Sequence, residues 1–110
     1  MLPRRSVGAR RWLLPKTEKF PKAYRFTVGR RLRDAAFDFQ EKLFLARKRR
    51  GPGRRALLLE CEAHLDAIRL YLRLAHHWQW LSTGQYEHAS ALVAELGRLL
   101  GGWLKQDAGE

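Results

Sequence analysis

Asparagine is absent from this 110-residue chain, and methionine, isoleucine and cysteine occur once each. A lone cysteine, Cys61, excludes a disulfide within the chain and suits a reducing compartment. No apolar run approaches the ~18 residues that a membrane span needs. The opening MLPRRSVGARRWLL also has too short an apolar stretch for a secretory signal. The expected setting is cytoplasmic, with no membrane partner. Alternating β-branched runs and hairpin dipeptides are missing, which removes sheet architectures. No glycine-rich loop follows a strand, and no nucleophile–base arrangement can be assembled. Glu-x-x-His, the pair with which helical bundles hold metals, does not occur. Neither an enzyme, a cofactor nor a metal centre is expected. Cys61 and His64, three apart on one helical face, would be two ligands without convergent partners. His76 and His77 point in different directions on a helix and do not form a ligand pair.

Acidic side chains are scarce as well, 11 against 22 Lys+Arg, for a formal charge of +11. The imbalance is local. Residues 1–55 hold 18 basic and 4 acidic side chains, whereas residues 56–110 hold 4 and 7. Sixteen of the basic residues are arginine, the side chain that meets phosphate bidentately. A GC-rich or thermophilic genome would account for abundant arginine, but not for its crowding into one half. The asymmetry favours an anionic partner, foremost nucleic acid.

The length allows one domain over 1–110. Residues 1–11 read as a basic arm, and Trp12, Leu13 and Leu14 before Pro15 predict a short first helix over 12–19. A long second helix is predicted over 20–50. There Val28, Leu32, Ala35, Ala36, Phe39, Leu43 and Ala46 recur three and four apart, a stripe about 100° wide. Phe37 and Phe44 face the other way, so this helix is expected to be covered on two sides, by its own chain and by another subunit. Gly51-Pro52-Gly53 ends it and leads into a third helix over 54–81, expected to be the most buried. Leu57, Cys61, His64, Leu65, Ile68, Tyr71, Leu72 and Ala75 form its stripe, widened by Leu59, Ala63, Ala67, Leu70 and Leu74. Ser82 or Thr83 can cap a fourth helix over 85–105, with Ala89, Leu92, Val93, Leu96, Leu99, Leu100, Trp103 and Leu104 inward. Beside that stripe runs a ridge of small residues, Ser90, Ala94, Gly97 and Gly101. A helical glycine costs up to ~1 kcal/mol, so Gly97 and Gly101 imply a second helix at close approach. The predicted fold is all-α: an antiparallel four-helix bundle with a short or truncated first helix, oligomeric through Phe37, Phe44, Gly97 and Gly101.

The candidate phosphate contacts are Arg30 and Arg33 on the long helix and Arg47, Lys48, Arg49, Arg50, Arg54 and Arg55 around the hairpin tip. The same tip charges would also suit a solvated turn that complements the negative end of the second helix. Arg69 and Arg73 stand alone as cations on the polar wedge of the third helix. Either they ladder with Glu62 and Asp66, or they form a contact surface for a protein or nucleic-acid partner. No base-reading motif is present, so binding is expected to be electrostatic and weakly selective for sequence. Trp12, Trp78, Trp80 and Trp103 are expected in core or interface, with an exposed indole able to stack on a base.

Leu13-Leu14-Pro15, then Glu18-Lys19-Phe20-Pro21-Lys22, then Arg25-Phe26-Thr27-Val28-Gly29 resemble the entry to the second helix in a bacterial four-helix-bundle family. That family includes the accessory variability determinant (Avd) proteins of diversity-generating retroelements, relatives of small proteins encoded in ribosomal RNA intervening sequences. Ile68-Arg69-Leu70-Tyr71-Leu72-Arg73-Leu74 and the stretch from Glu95 to Leu104 resemble further Avd segments, and the ordered set covers most of 13–105. One departure is that only a short arginine-rich piece precedes Pro15. The resemblance implies a basic homopentamer that binds RNA and DNA through phosphates. It further implies partnership with the retroelement's reverse transcriptase, through Arg69 and Arg73, in mutagenic copying of template RNA into cDNA. Two other functions stay open: a ribosomal-RNA-associated bundle with no retroelement role, and a purely structural oligomer whose charge only solvates it.

Overall fold

The computed structural model describes Leu13, residues 15–17 and residues 20–108. The expected basic arm over 1–11 lies outside the described residues, as do Trp12, Leu14, Glu18 and Lys19. Among the described residues every regular element is helical. Leu13 and residues 15–17 are helical, and four helices follow: α1 (Lys22–Arg25), α2 (Val28–Arg47), α3 (Gly51–His77) and α4 (Thr83–Ala108). The helices pack antiparallel, with α3 against both α2 and α4, so the main packing joins sequence neighbours. The molecule measures 46 × 23 × 21 Å, a length set by α3, whose 27 residues span about 40 Å.

Phe26 and Thr27 interrupt the single helix expected over 20–50. Thr27 leaves helical geometry at φ −115°, ψ −90°, and its Oγ1 donates to the Tyr24 carbonyl at 3.2 Å instead of capping α2. Such a local bond gives the backbone an alternative to the helix. Tertiary packing fixes the break: Phe20 is buried, and Tyr24 stacks on Trp80, 4.4 Å between centroids.

The remaining boundaries shift for reasons visible in the caps. α3 begins at Gly51 rather than Arg54. Pro52 fits its first turn because an N–H there has no partner to lose. Gly51 makes the reversal at φ +63°, a left-handed value that side chains resist. α3 stops at His77 rather than Leu81. There the Trp80 N–H donates to the Ala75 carbonyl (2.8 Å) and the Gln79 N–H to the His76 carbonyl (3.0 Å), the paired bonds of a Schellman cap. Gln79, at φ 62°, holds the position where glycine is usual. α4 starts with a reciprocal capping box: the Gln85 N–H donates to Ser82 Oγ at 3.1 Å, and the Ser82 N–H donates to Gln85 Oε1 at 3.0 Å. That box sets the start of α4 two residues earlier than the expected Gln85.

The core follows the predicted stripes. Leu32, Leu43, Leu58, Leu65, Leu72 and Leu100 are fully buried, each contributing about 1.5–3 kcal/mol. Ala36, Ala46, Ala75 and Ala89 lie among them and keep the helices close. The apolar arc of α3 is narrower than its sequence suggests: Leu58 is buried, while Leu59, Ala63 and Leu70 are exposed. Cys61 sits in the core, its thiol donating to the Phe39 carbonyl at 3.8 Å. No helix among the described residues is long and apolar enough to cross a membrane.

Candidate nucleic-acid interface

The α2–α3 turn concentrates cations because the end of α2 and the start of α3 are both arginine-rich. Arg47, Arg49, Arg50, Arg54 and Arg55 line one cavity of about 680 Å³, joined by Gln106 from the last turn of α4. Two of these side chains are tethered. Arg54 donates to the Ala46 carbonyl (3.4 Å) and lies over the Trp103 ring (5.4 Å), and Arg55 donates to the Leu104 carbonyl (3.4 Å). These bonds use the carbonyl ends of α2 and α4, where a cation is favoured. Arg47, Arg49 and Arg50 are exposed, and among the described residues no carboxylate pairs with any of the three. Lys48 instead lies over the Phe44 ring at 4.4 Å. The result is a concave arginine cluster at one end of the bundle, with no carboxylate in its lining among the described residues.

The other two expected phosphate contacts are elsewhere. Arg30 and Arg33 stand at the beginning of α2, some 20–25 Å from Arg47 by helical rise. Arg30 is exposed and reaches Asp34 at 4.0 Å, a pair of little energetic weight. Arg33 is engaged, donating to Thr17 Oγ1 and to the Arg25 carbonyl, both at 3.3 Å. It fastens the segment before α2 to the bundle.

Arg69 and Arg73 are both exposed on α3. Arg69 makes a 2.9 Å ion pair with Asp66, and the two arginines line a small cavity with Tyr86 and Ser90 of α4. Phe37 and Phe44 lie on the outside of the chain, 49% and 43% exposed. Gly97 has a reason within its own chain, since a Cβ there would fall 2.7 Å from Arg69 Nη2. At Gly101 a Cβ would meet open space. The neighbour implied by the small-residue ridge is thus, at Gly97, a side chain of α3.

Among the described residues no group of three or more His, Cys, Asp or Glu side chains is placed to hold a metal ion. Burial pushes the Cys61 thiol up to about 12, with Glu60 adding to the shift and Lys42 opposing it. The thiol therefore keeps its proton at neutral pH. Sequence reasoning missed the ring stack of Tyr24, Trp80 and Trp78 at the far end of the bundle. The one available signal was two indoles two residues apart just past the end of a helix.

Fold and charge together define a small, basic, all-helical bundle protein with an arginine-rich hairpin tip. The chain belongs to the bAvd-like family, whose model matches residues 5–107. A comparison with curated proteins finds no match.

Proposed function

We propose that this protein is the accessory component of a diversity-generating retroelement. It self-associates, as a homopentamer by family resemblance, and its outward Phe37 and Phe44 supply apolar surface for that contact. It binds RNA and DNA through phosphates and partners the reverse transcriptase during mutagenic copying of template RNA into cDNA, without catalysing a step itself. Arg69 and Arg73 form the reverse-transcriptase contact. The observation that carries this reading is the five-arginine cavity at the α2–α3 turn, in a chain that belongs to the bAvd-like family.

Five cations around one concavity suit a polyanion and suit no apolar or cationic ligand. Arg47, Arg49 and Arg50 are the free members, and Lys48, Arg54 and Arg55 add to the same field. Arg30 offers a separate phosphate contact at the other end of α2, with Arg33 contributing charge more than contact. The test is binding of a labelled oligonucleotide across a salt series. Affinity should fall steeply with salt, and the triple variant Arg47→Gln/Arg49→Gln/Arg50→Gln should lose affinity for all sequences alike. Its log–log salt slope should shrink by about 0.7–0.9 for each phosphate no longer neutralised. A slope near zero for the unaltered protein would remove the reading.

A further inference from the structure

Tyr24, Trp80 and Trp78 form a three-ring stack at the end of the bundle opposite the arginine tip. Trp80 is the middle ring, 4.4 Å and 29° from Tyr24 and 5.4 Å and 27° from Trp78. Buried Phe20 supports it from 5.5 Å. The outer rings stay open to solvent: Tyr24 is 46% exposed and Trp78 is 52% exposed. The backbone adopts an unfavourable conformation to build this stack, because the cap of α3 holds Gln79 at φ 62° between the two indoles.

At the same end of the molecule lies a cavity of about 610 Å³, lined by Arg73, His76, His77 and Gln79 together with Leu81, Ser82 and Thr83. Among the described residues no carboxylate belongs to that lining. His77 stands edge-on to Trp78, 5.6 Å between centroids. Open aromatic rings and a cation-lined cavity therefore share one end of the molecule, with His77 linking the two. The Ser82 hydroxyl already accepts from the Gln85 N–H, and the Thr83 hydroxyl lies 3.4 Å from His76 Nε2. An apolar protein segment would use the rings and leave the Arg73 guanidinium unused. A nucleotide uses both, its base on a ring and its phosphate on Arg73.

We infer that this stack is a binding site for the unpaired bases of a single-stranded nucleic acid. The inference rests on the nucleic-acid reading above and adds strand type to it. Aromatic stacking needs a base face that a duplex keeps inside, whereas the arginine tip recognises phosphate in either form. Arg73, at the cavity rim, joins this end to the surface proposed for the reverse transcriptase.

The experiment compares an oligothymidylate with a duplex of equal length, following tryptophan emission and anisotropy. The single strand should quench tryptophan emission. The Trp78→Ala/Tyr24→Ala protein should bind it about tenfold more weakly, or worse, for each base that no longer stacks, with duplex affinity unchanged. Trp78→Phe should retain most of the single-strand affinity and Trp78→Leu should not; this pair decides the matter if the double variant fails a circular-dichroism check of folding. The triple arginine variant at the tip should weaken both probes. A folded Trp78→Ala/Tyr24→Ala protein that binds the single strand normally overturns the inference and leaves the stack to a protein partner. Equal weakening of both probes in that variant overturns it too. If the unaltered protein binds neither probe, the nucleic-acid reading itself fails.

Discussion

The guanidinium of Arg69 occupies the space that a side chain at Gly97 would fill, with Nη2 only 2.7 Å from where a Cβ would stand. Glycine at this point of α4 lets a cation from α3 lie flat across the neighbouring helix while it pairs with Asp66. Gly97→Ala should therefore displace Arg69 without unfolding the protein, since the far end of a flexible side chain moves easily. The helix-propensity gain of up to ~1 kcal/mol and the loss of an exposed ion pair worth about 0–1 kcal/mol nearly offset each other. Thermal melting should change little, while capture of the cognate reverse transcriptase in a pull-down should fall. Full capture by Gly97→Ala would show that the position of Arg69 is immaterial.

Arg69→Ala/Arg73→Ala is the companion experiment. The double variant should remain folded, losing about 1 kcal/mol or less, yet fail to co-purify with the reverse transcriptase. Charge reversal to Glu should be worse than Ala if the partner surface is acidic. Normal retention by the folded double variant would return both residues to a local role beside Asp66.

Phe37 and Phe44 are half-exposed in the isolated chain, so truncating them should cost the single subunit little, about 0.5 kcal/mol or less. Phe37→Ala/Phe44→Ala should instead lower the assembled mass measured by light scattering, toward the 12.9 kDa of one chain. An assembly of unchanged mass would exclude these two rings from the subunit contact.

Gln79 should yield a stabilising change. Glycine tolerates the left-handed conformation that costs other residues roughly 1–2 kcal/mol. Gln79→Gly, offset in part by a more flexible unfolded chain, should raise stability by up to about 1 kcal/mol in a urea titration. Gln79→Val should lower it, because branching at Cβ worsens the same clash. A destabilised Gln79→Gly protein would mean that the side chain holds the cap by contacts of its own.

The Cys61 thiol predicts a response to alkali. Burial raises its pKa from 9.0 to about 12 in the folded state, so the native protein keeps a proton that the unfolded chain releases. Stability linked to this group is intact below pH 9 and falls as pH climbs toward 12. Cys61→Ala should flatten that part of the decline relative to the unaltered protein. A thiol reagent near pH 8 should react only as fast as the protein opens, and immediate labelling would contradict a buried thiol.

Period and punctuation made most of the fold legible. The spacing of Leu32, Ala35, Ala36, Phe39, Leu43 and Ala46 reports burial directly, and Ser82 with Gln85 signals the start of α4 by a local bond. The break at Phe26 and Thr27 was not legible, because Tyr24 is held by Trp80, more than fifty residues later in the chain. The arginine tip was readable as a cluster, whereas the separate duty of Arg33 depends on Thr17 and the Arg25 carbonyl, partners without a spacing rule. Gly97 announced a close approach but not by whom. The ring stack hid for a different reason: it needs a left-handed residue, and glutamine at position 79 gives no such signal.

Because α3 packs on the helix before it and the helix after it, the order of packing matches the order of synthesis. A nascent chain can close α2 against α3 while α4 is still inside the ribosomal tunnel, leaving the α4-facing stripe of α3 briefly uncovered. The last helix then completes a surface already made, with no long loop to close and correspondingly little entropic delay. The α2 and α3 members of the arginine tip are all translated by Arg55, but Trp103, Leu104 and Gln106 of α4, which complete it, come last. The ring stack, whose members are all made by Trp80, thus has the Leu81–Ser82 turn to hold it before α4 brings the last contacts to the positive end.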